Sequence, residues 1–129
     1  MKKWMKSLTK IRLINWHYFT DELFEVEGSV LIAGDNTSGK STLLDAIKLV
    51  LTVNRQGFNL AANEKSKRNL KGYVRCKTGD DTNTYLRKGT VISYVALEFY
   101  EDKSNKSFII GVKLDSDSEE GDIKSHWFL

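Results

Sequence analysis

Apolar positions along the chain follow two rhythms. Residues 7–14 carry Leu8, Ile11, Leu13 and Ile14 in an imperfect alternation that predicts a first strand. Asn15-Trp16-His17-Tyr18-Phe19 reads as an aromatic-rich turn, Leu23-Phe24-Glu25-Val26 as a short second strand, and Glu27-Gly28-Ser29 as another turn. Val30-Leu31-Ile32-Ala33 is an unbroken apolar run, the pattern of a strand buried on both faces. From Lys40 the period lengthens. Leu43, Leu44, Ile47, Val50 and Leu51 recur at three and four residues, which predicts a helix of about three turns with Asp45 and Lys48 on its other side. Residues 55–89 are polar and basic with few periodic cues, and are expected to be an insertion with short elements of its own or a functional loop. Residues 91–100 and 108–114 are rich in β-branched and aromatic side chains and flank a polar turn, so 91–114 is predicted to be an antiparallel hairpin.

With 129 residues, 40% hydrophobic and 29% charged, the chain has the size and mix of one globular domain. No apolar run approaches the roughly 18–20 residues of a membrane span. The basic start Met1-Lys2-Lys3 leads into Ser7-Leu8-Thr9-Lys10, not into the apolar stretch of a secretory signal. The single Cys76 permits no internal disulfide, and a cytoplasmic location is the simplest expectation. The net charge of +3 is unevenly spread. Lys65, Lys67, Arg68, Lys71, Arg75 and Lys77 form a run without acids, while Asp115, Asp117, Glu119, Glu120 and Asp122 form one without bases. The basic run is a candidate contact for DNA or other phosphates, set against the plainer reading of two solvated loops.

Between the buried-type strand and the helix lies Gly34-Asp35-Asn36-Thr37-Ser38-Gly39-Lys40-Ser41, which meets G-x-x-x-x-G-K-[ST] at every fixed position. With glycine near 7% of residues, chance would place that pattern in a chain this short roughly once in a few hundred. The spacing has a chemical reason. Successive backbone N–H groups of a glycine-rich turn converge on phosphate oxygens, and Gly34 and Gly39 let the phosphate approach the main chain. The helix N-terminus adds a partial positive charge, and Lys40 adds a full one. Ser41 offers the hard hydroxyl oxygen that Mg²⁺ prefers, and Thr42 is a candidate donor to the α-phosphate. Gly34, Asp35, Asn36, Thr37, Ser38, Gly39, Lys40, Ser41 and Thr42 are therefore the expected ATP phosphate site, with Ser41 the metal ligand.

No catalytic residue is identified in this segment. A GTPase would show N-K-x-D, and Asn63-Glu64-Lys65-Ser66 has the wrong order. A four-apolar-plus-acid strand is also missing, since Glu98 interrupts the run around residues 96–102.

Ile14-Asn15-Trp16-His17-Tyr18-Phe19, the P-loop, and Ser41-Thr42-Leu43-Leu44-Asp45-Ala46-Ile47 together resemble the start of an SMC-like, ABC-type ATPase head. Asn59-Leu60-Ala61-Ala62-Asn63-Glu64-Lys65-Ser66, Leu70-Lys71-Gly72-Tyr73-Val74-Arg75-Cys76-Lys77 and Ser93-Tyr94-Val95-Ala96-Leu97-Glu98-Phe99 bring it closer to the SMC-like ATPase of Wadjet anti-plasmid systems, relatives of Muk-type condensins. The resemblance implies an α/β P-loop NTPase fold, namely the N-terminal half of an ABC/SMC-type head with a mixed sheet and one main P-loop helix. In such heads a coiled coil and a C-terminal lobe follow, and that lobe supplies the signature and catalytic acid. Residues 1–129 would thus be an N-terminal lobe that binds ATP and Mg²⁺ without efficient turnover. Implied partners are the C-terminal lobe, a second head, kleisin-type and accessory subunits, and DNA. The implied activity of the full protein is ATP-driven DNA loop extrusion in plasmid restriction or chromosome organisation. Thr37 stands where the family usually has glycine. A transporter ATPase or a kinase-like P-loop protein is the alternative.

Of the remaining candidates, Trp16, Tyr18 and Phe19 can stack on adenine but fit a core equally well. His17 has no metal-like spacing to a second ligand. Cys76 is expected to be a plain reduced thiol, and Arg75 an ordinary surface arginine.

Overall fold

The computed structural model describes residues 6–26, 37–52, 70–77 and 85–129. Their elements in chain order are β1 (Lys6–Trp16), β2 (Phe19–Glu25), α1 (Thr37–Thr52), α2 (Leu70–Arg75), β3 (Val91–Glu101), β4 (Lys106–Ser116) and β5 (Lys124–Phe128). The strands form one sheet in the order β2-β1-β3-β4-β5. Every pairing among the described residues is antiparallel. A mixed sheet was the expectation. The strand that would have made it mixed, residues 30–33, lies outside the described residues.

Alternation along the strands sorts the sheet into two faces. Ile11 and Leu13 of β1 stand opposite Leu97 and Val95 of β3, and Val95 stands opposite Val112 of β4. These side chains are buried beneath α1 and α2 in one core with Trp16, Leu49, Tyr73, Val74 and Leu114. The other face is polar at its centre. Lys10 pairs with Glu98 at 3.9 Å, and Arg12 reaches Asp21 at 2.8 Å. Thr9 marks a register shift in β1, where its hydroxyl donates to both the carbonyl and the carboxylate of Glu98.

The expected hairpin is present with longer strands, joined by a tight turn at residues 102–105. β2 begins earlier than expected. Asn15 and His17 take φ of +51° and +52°, so the chain reverses within residues 16–19 and the aromatic stretch supplies strand ends on both sides. β5 was not anticipated. It follows the acidic run and closes the sheet edge beside β4, with Gly111 opposite Phe128.

Gly111 has a steric reason to be glycine. A Cβ there would sit 2.5 Å from the Val95 carbonyl oxygen and 2.6 Å from Cζ of Phe128. The ring can move aside, but the carbonyl belongs to the β3–β4 ladder and cannot. Gly111→Val is expected to destabilise the fold by about 2–3 kcal/mol, read as a lower midpoint in thermal unfolding. Adding Phe128→Ala should fail to restore it.

Candidate phosphate-binding site

Of the predicted phosphate-site residues, Gly34, Asp35 and Asn36 lie outside the described residues. Thr37, Ser38, Gly39 and Lys40 form the first turn of α1, so the helix begins inside the motif and is longer than predicted, at 16 residues. No acidic side chain stands in that turn. The partial positive charge of the helix start is therefore not offset by a carboxylate of its own, as an anion site requires. Ser41 is half-buried and Thr42 is buried.

The helix is apolar over more of its circumference than its sequence stripe implied. Leu43, Ala46, Ile47, Leu49 and Val50 are all in the core. Two assignments reverse: Leu51 is 54% exposed, whereas Asp45 is only 1% exposed. Asp45 was expected on the solvent side. It is drawn inside because its carboxylate accepts a hydrogen bond from the hydroxyl of Tyr73 on α2.

Trp16 completes the anchorage. Its ring is fully buried at the end of β1, and its Nε1 donates to the Thr42 carbonyl oxygen at 3.0 Å. The indole stacks on Tyr73 with ring centroids 4.7 Å apart. The His17 main-chain N–H donates to the Tyr73 carbonyl, and its imidazole meets the Tyr73 ring edge-on at 5.6 Å. Of the three aromatics considered for adenine stacking, Trp16 is core, Phe19 packs edge-to-face on Phe24, and Tyr18 is exposed. The start of α1 is thus held from two sides, by β1 through Thr42 and by α2 through Asp45. Sequence reading missed both Asp45 and Tyr73. No local signal marked either one, because Asp45 falls on the polar side of the helical wheel and its partner Tyr73 lies on a separate element.

The basic run does not form one surface. Lys65, Lys67 and Arg68 lie outside the described residues, and Lys71 is half-buried. Arg75 and Lys77 are buried, which corrects their assignment as surface contacts. Arg75 is 0% exposed. Its Nε donates to Ser116 Oγ at 2.9 Å, and its Nη atoms donate to the carbonyls of Arg87, Gly89 and Ser116 at 3.1, 2.6 and 3.1 Å. A guanidinium tolerates such a site because four of the five donors in its fixed fork meet oxygen acceptors. Arg87 reciprocates, donating to the carbonyls of Val74 and Phe19 at 3.2 and 3.0 Å. Main-chain bonds from Arg87 to Arg75 and from Leu86 to Cys76 align the two segments, and Lys77 bridges to Tyr85. The end of the expected insertion is therefore a clasp locked onto the sheet, not a free loop.

Burial pushes the Cys76 thiol above its ordinary value of 9.0, against the opposing pull of the Arg87 charge. Burial, with Glu119 nearby, likewise raises Tyr85 above 10.0, and Arg75 opposes it. No group of three or more metal-ligating side chains occurs among the described residues. Nor is any described helix long and apolar enough to cross a membrane.

Residues 8–65 match the family model for the P-loop containing region of AAA domain. The chain is related to the P-loop NTPases. The matched stretch runs from β1 through the whole of α1, and a P-loop region of this kind points to nucleotide binding. No curated protein matches the chain. The P-loop relationship stands at this general level, without reaching the SMC-like heads in particular.

Two outcomes follow from the clasp. Arg75→Lys, which keeps the charge but not the fork, is expected to lower stability by about 3 kcal/mol in chemical denaturation. Cys76 and Tyr85 hold their protons more tightly folded than unfolded. The stability they contribute is intact below their ordinary values of 9.0 and 10.0 and is lost as pH rises above each of these through the higher folded value. The unfolding midpoint should therefore fall across that alkaline range, and Cys76→Ala should flatten the first part of the fall.

Proposed function

We propose that this chain binds ATP with Mg²⁺ through Gly34–Ser41 and Thr42, as the phosphate-binding segment of an SMC-like ATPase head. The observation that carries the nucleotide reading is the start of α1 within the G-x-x-x-x-G-K-S motif, with no acid in its first turn and with Trp16 fastened to Thr42. A helix start presents N–H groups without intrahelical partners, and an anion placed there satisfies them.

The residues suit the cofactor. Mg²⁺ would neutralise charge on the polyphosphate, and the half-buried hydroxyl of Ser41 in the second turn is the hard oxygen ligand this segment can give it. Lys40 supplies the ammonium for the β- and γ-phosphates, and the main chain of the motif supplies the rest of the cradle. The chain's own task is to bind and orient the phosphates. Turnover would need a carboxylate to orient the attacking water, and no residue of this segment is assigned that role. The SMC-like reading rests on the P-loop and on the stretches at residues 14–19, 41–47, 59–66, 70–77 and 93–99, and with it come head-to-head engagement, kleisin-type partners and DNA as ligand. Burial of Arg75 and Lys77 leaves Lys65, Lys67, Arg68 and Lys71 as the candidate DNA contacts.

Titration calorimetry with Mg²⁺ present is expected to detect ATP binding that Lys40→Ala removes, while phosphate release stays near background. A folded chain that gives no heat with ATP would sink the nucleotide reading. Rapid hydrolysis by the chain alone would sink the assignment as a head segment awaiting its catalytic acid.

A further inference from the structure

Beyond the motif itself, the described structure singles out one side chain on a different element. We propose that Tyr73 is a positioning residue for the phosphate-binding end of α1, so that docking of α2 and occupation of the nucleotide site are thermodynamically linked. The inference rests on the nucleotide reading above and adds to it a residue outside the P-loop motif.

Three features converge on Tyr73. Its hydroxyl donates to the Asp45 carboxylate, one helical turn beyond Ser41. Its ring stacks on Trp16, whose Nε1 holds the Thr42 carbonyl at 3.0 Å. Its own carbonyl accepts the main-chain N–H of His17 at 2.5 Å. Tyr73 thus touches the end of β1 and the first turns of α1 at once.

Helix geometry turns this into leverage. In α1 the Asp45 N–H points at the Ser41 carbonyl and the Ala46 N–H at the Thr42 carbonyl, so a shift of residues 45–46 along the axis carries Ser41 and Thr42 with it. A buried carboxylate also has few ways to move, because each must preserve its hydrogen bonds. Asp45 is buried and Tyr73 is 1% exposed, so water cannot readily replace the phenol. Tyr73 lies outside the family-model match, which ends at residue 65. The structure nonetheless fastens it to the matched helix.

Linkage makes the proposal reciprocal. If the Tyr73–Asp45 contact favours the helix position that grips phosphate, occupation by phosphate favours the docked α2 by the same factor. Trp16 lies between the two and should report the coupling through its emission. In a chain carrying Trp4→Phe and Trp127→Phe, saturating Mg-ATP is expected to change Trp16 emission. Tyr73→Phe should weaken Mg-ATP binding about tenfold, the size of one lost hydrogen bond to a charged group, and should reduce the emission change at saturation. Asp45→Ala should weaken binding by a similar factor, and the double variant by no more than either alone. A purely structural role would lower the melting temperature of these variants and leave affinity and emission response as they were.

The outcomes separate cleanly. If the parent chain binds no nucleotide, the functional reading fails and this proposal falls with it. If the parent binds, equal affinity in Tyr73→Phe, additive losses in the double variant, or a Trp16 emission indifferent to nucleotide each overturns the positioning role and leaves the nucleotide reading standing. The emission test uses no substitution at Tyr73, so an indifferent Trp16 overturns the proposal even if Tyr73→Phe does not fold.

Discussion

A helix start that receives a polyanion, the role proposed for α1, must be braced against displacement along its own axis, and the brace in this fold is a pair of buried hydrogen bonds. The indole of Trp16 holds the Thr42 carbonyl, and the phenol of Tyr73 holds the Asp45 carboxylate. The two rings stack on one another, so neither bond can be lost without disturbing the other. In a low-dielectric interior such polar contacts are stronger than in water, and an orphaned partner is correspondingly destabilising. The position of α1 along its axis is set by this junction together with the interdigitated apolar packing around it.

The rest of the described fold supports the junction. The antiparallel sheet provides an apolar floor at Ile11, Leu13, Val95, Leu97, Val112 and Leu114, over which α1 and α2 lie. The tight reversal at residues 16–19 brings Trp16 and His17 to the edge of that floor. Asn15 is fixed there by a bond from its side chain to the Ile92 carbonyl, and Ser93 Oγ donates back to the Asn15 carbonyl at 2.6 Å. On the far side, Arg75 and Arg87 tie α2 to β4 and to residues 85–89 through main-chain carbonyls. A six-residue helix has little stability of its own, so α2 stays in place through these tertiary bonds and through Tyr73.

The sequence revealed most where period and motif coincide. The hairpin at residues 91–114 was legible because two runs of β-branched and aromatic residues flank a polar turn, and the structure extends the first strand by one residue and the second by two at each end. The P-loop relationship was legible because the motif's spacing is itself the chemistry, and residues 8–65 match a P-loop family model. Other features depend on tertiary partners that no local pattern announces. β5 follows a dense acidic run and gains its place only by pairing with β4. Arginine is usually a surface residue, so the interior position of Arg75 is visible only once Ser116 and the carbonyls around it are in place. Asp45 sits on the polar side of an idealised helical wheel, yet a phenol from an element 28 residues onward draws it inside. The mixed sheet was implied by the resemblance to an ABC-type head, whereas the described strands pair only antiparallel.

Amide hydrogen exchange with and without Mg-ATP examines this account most directly, because it reads the helix start, the end of β1 and α2 in a single sample. Nucleotide is predicted to slow exchange together in the first turns of α1, at residues 16–17 and at residues 70–77, while β4 and β5 stay unchanged. A folded chain whose exchange is indifferent to Mg-ATP at all three places would contradict it.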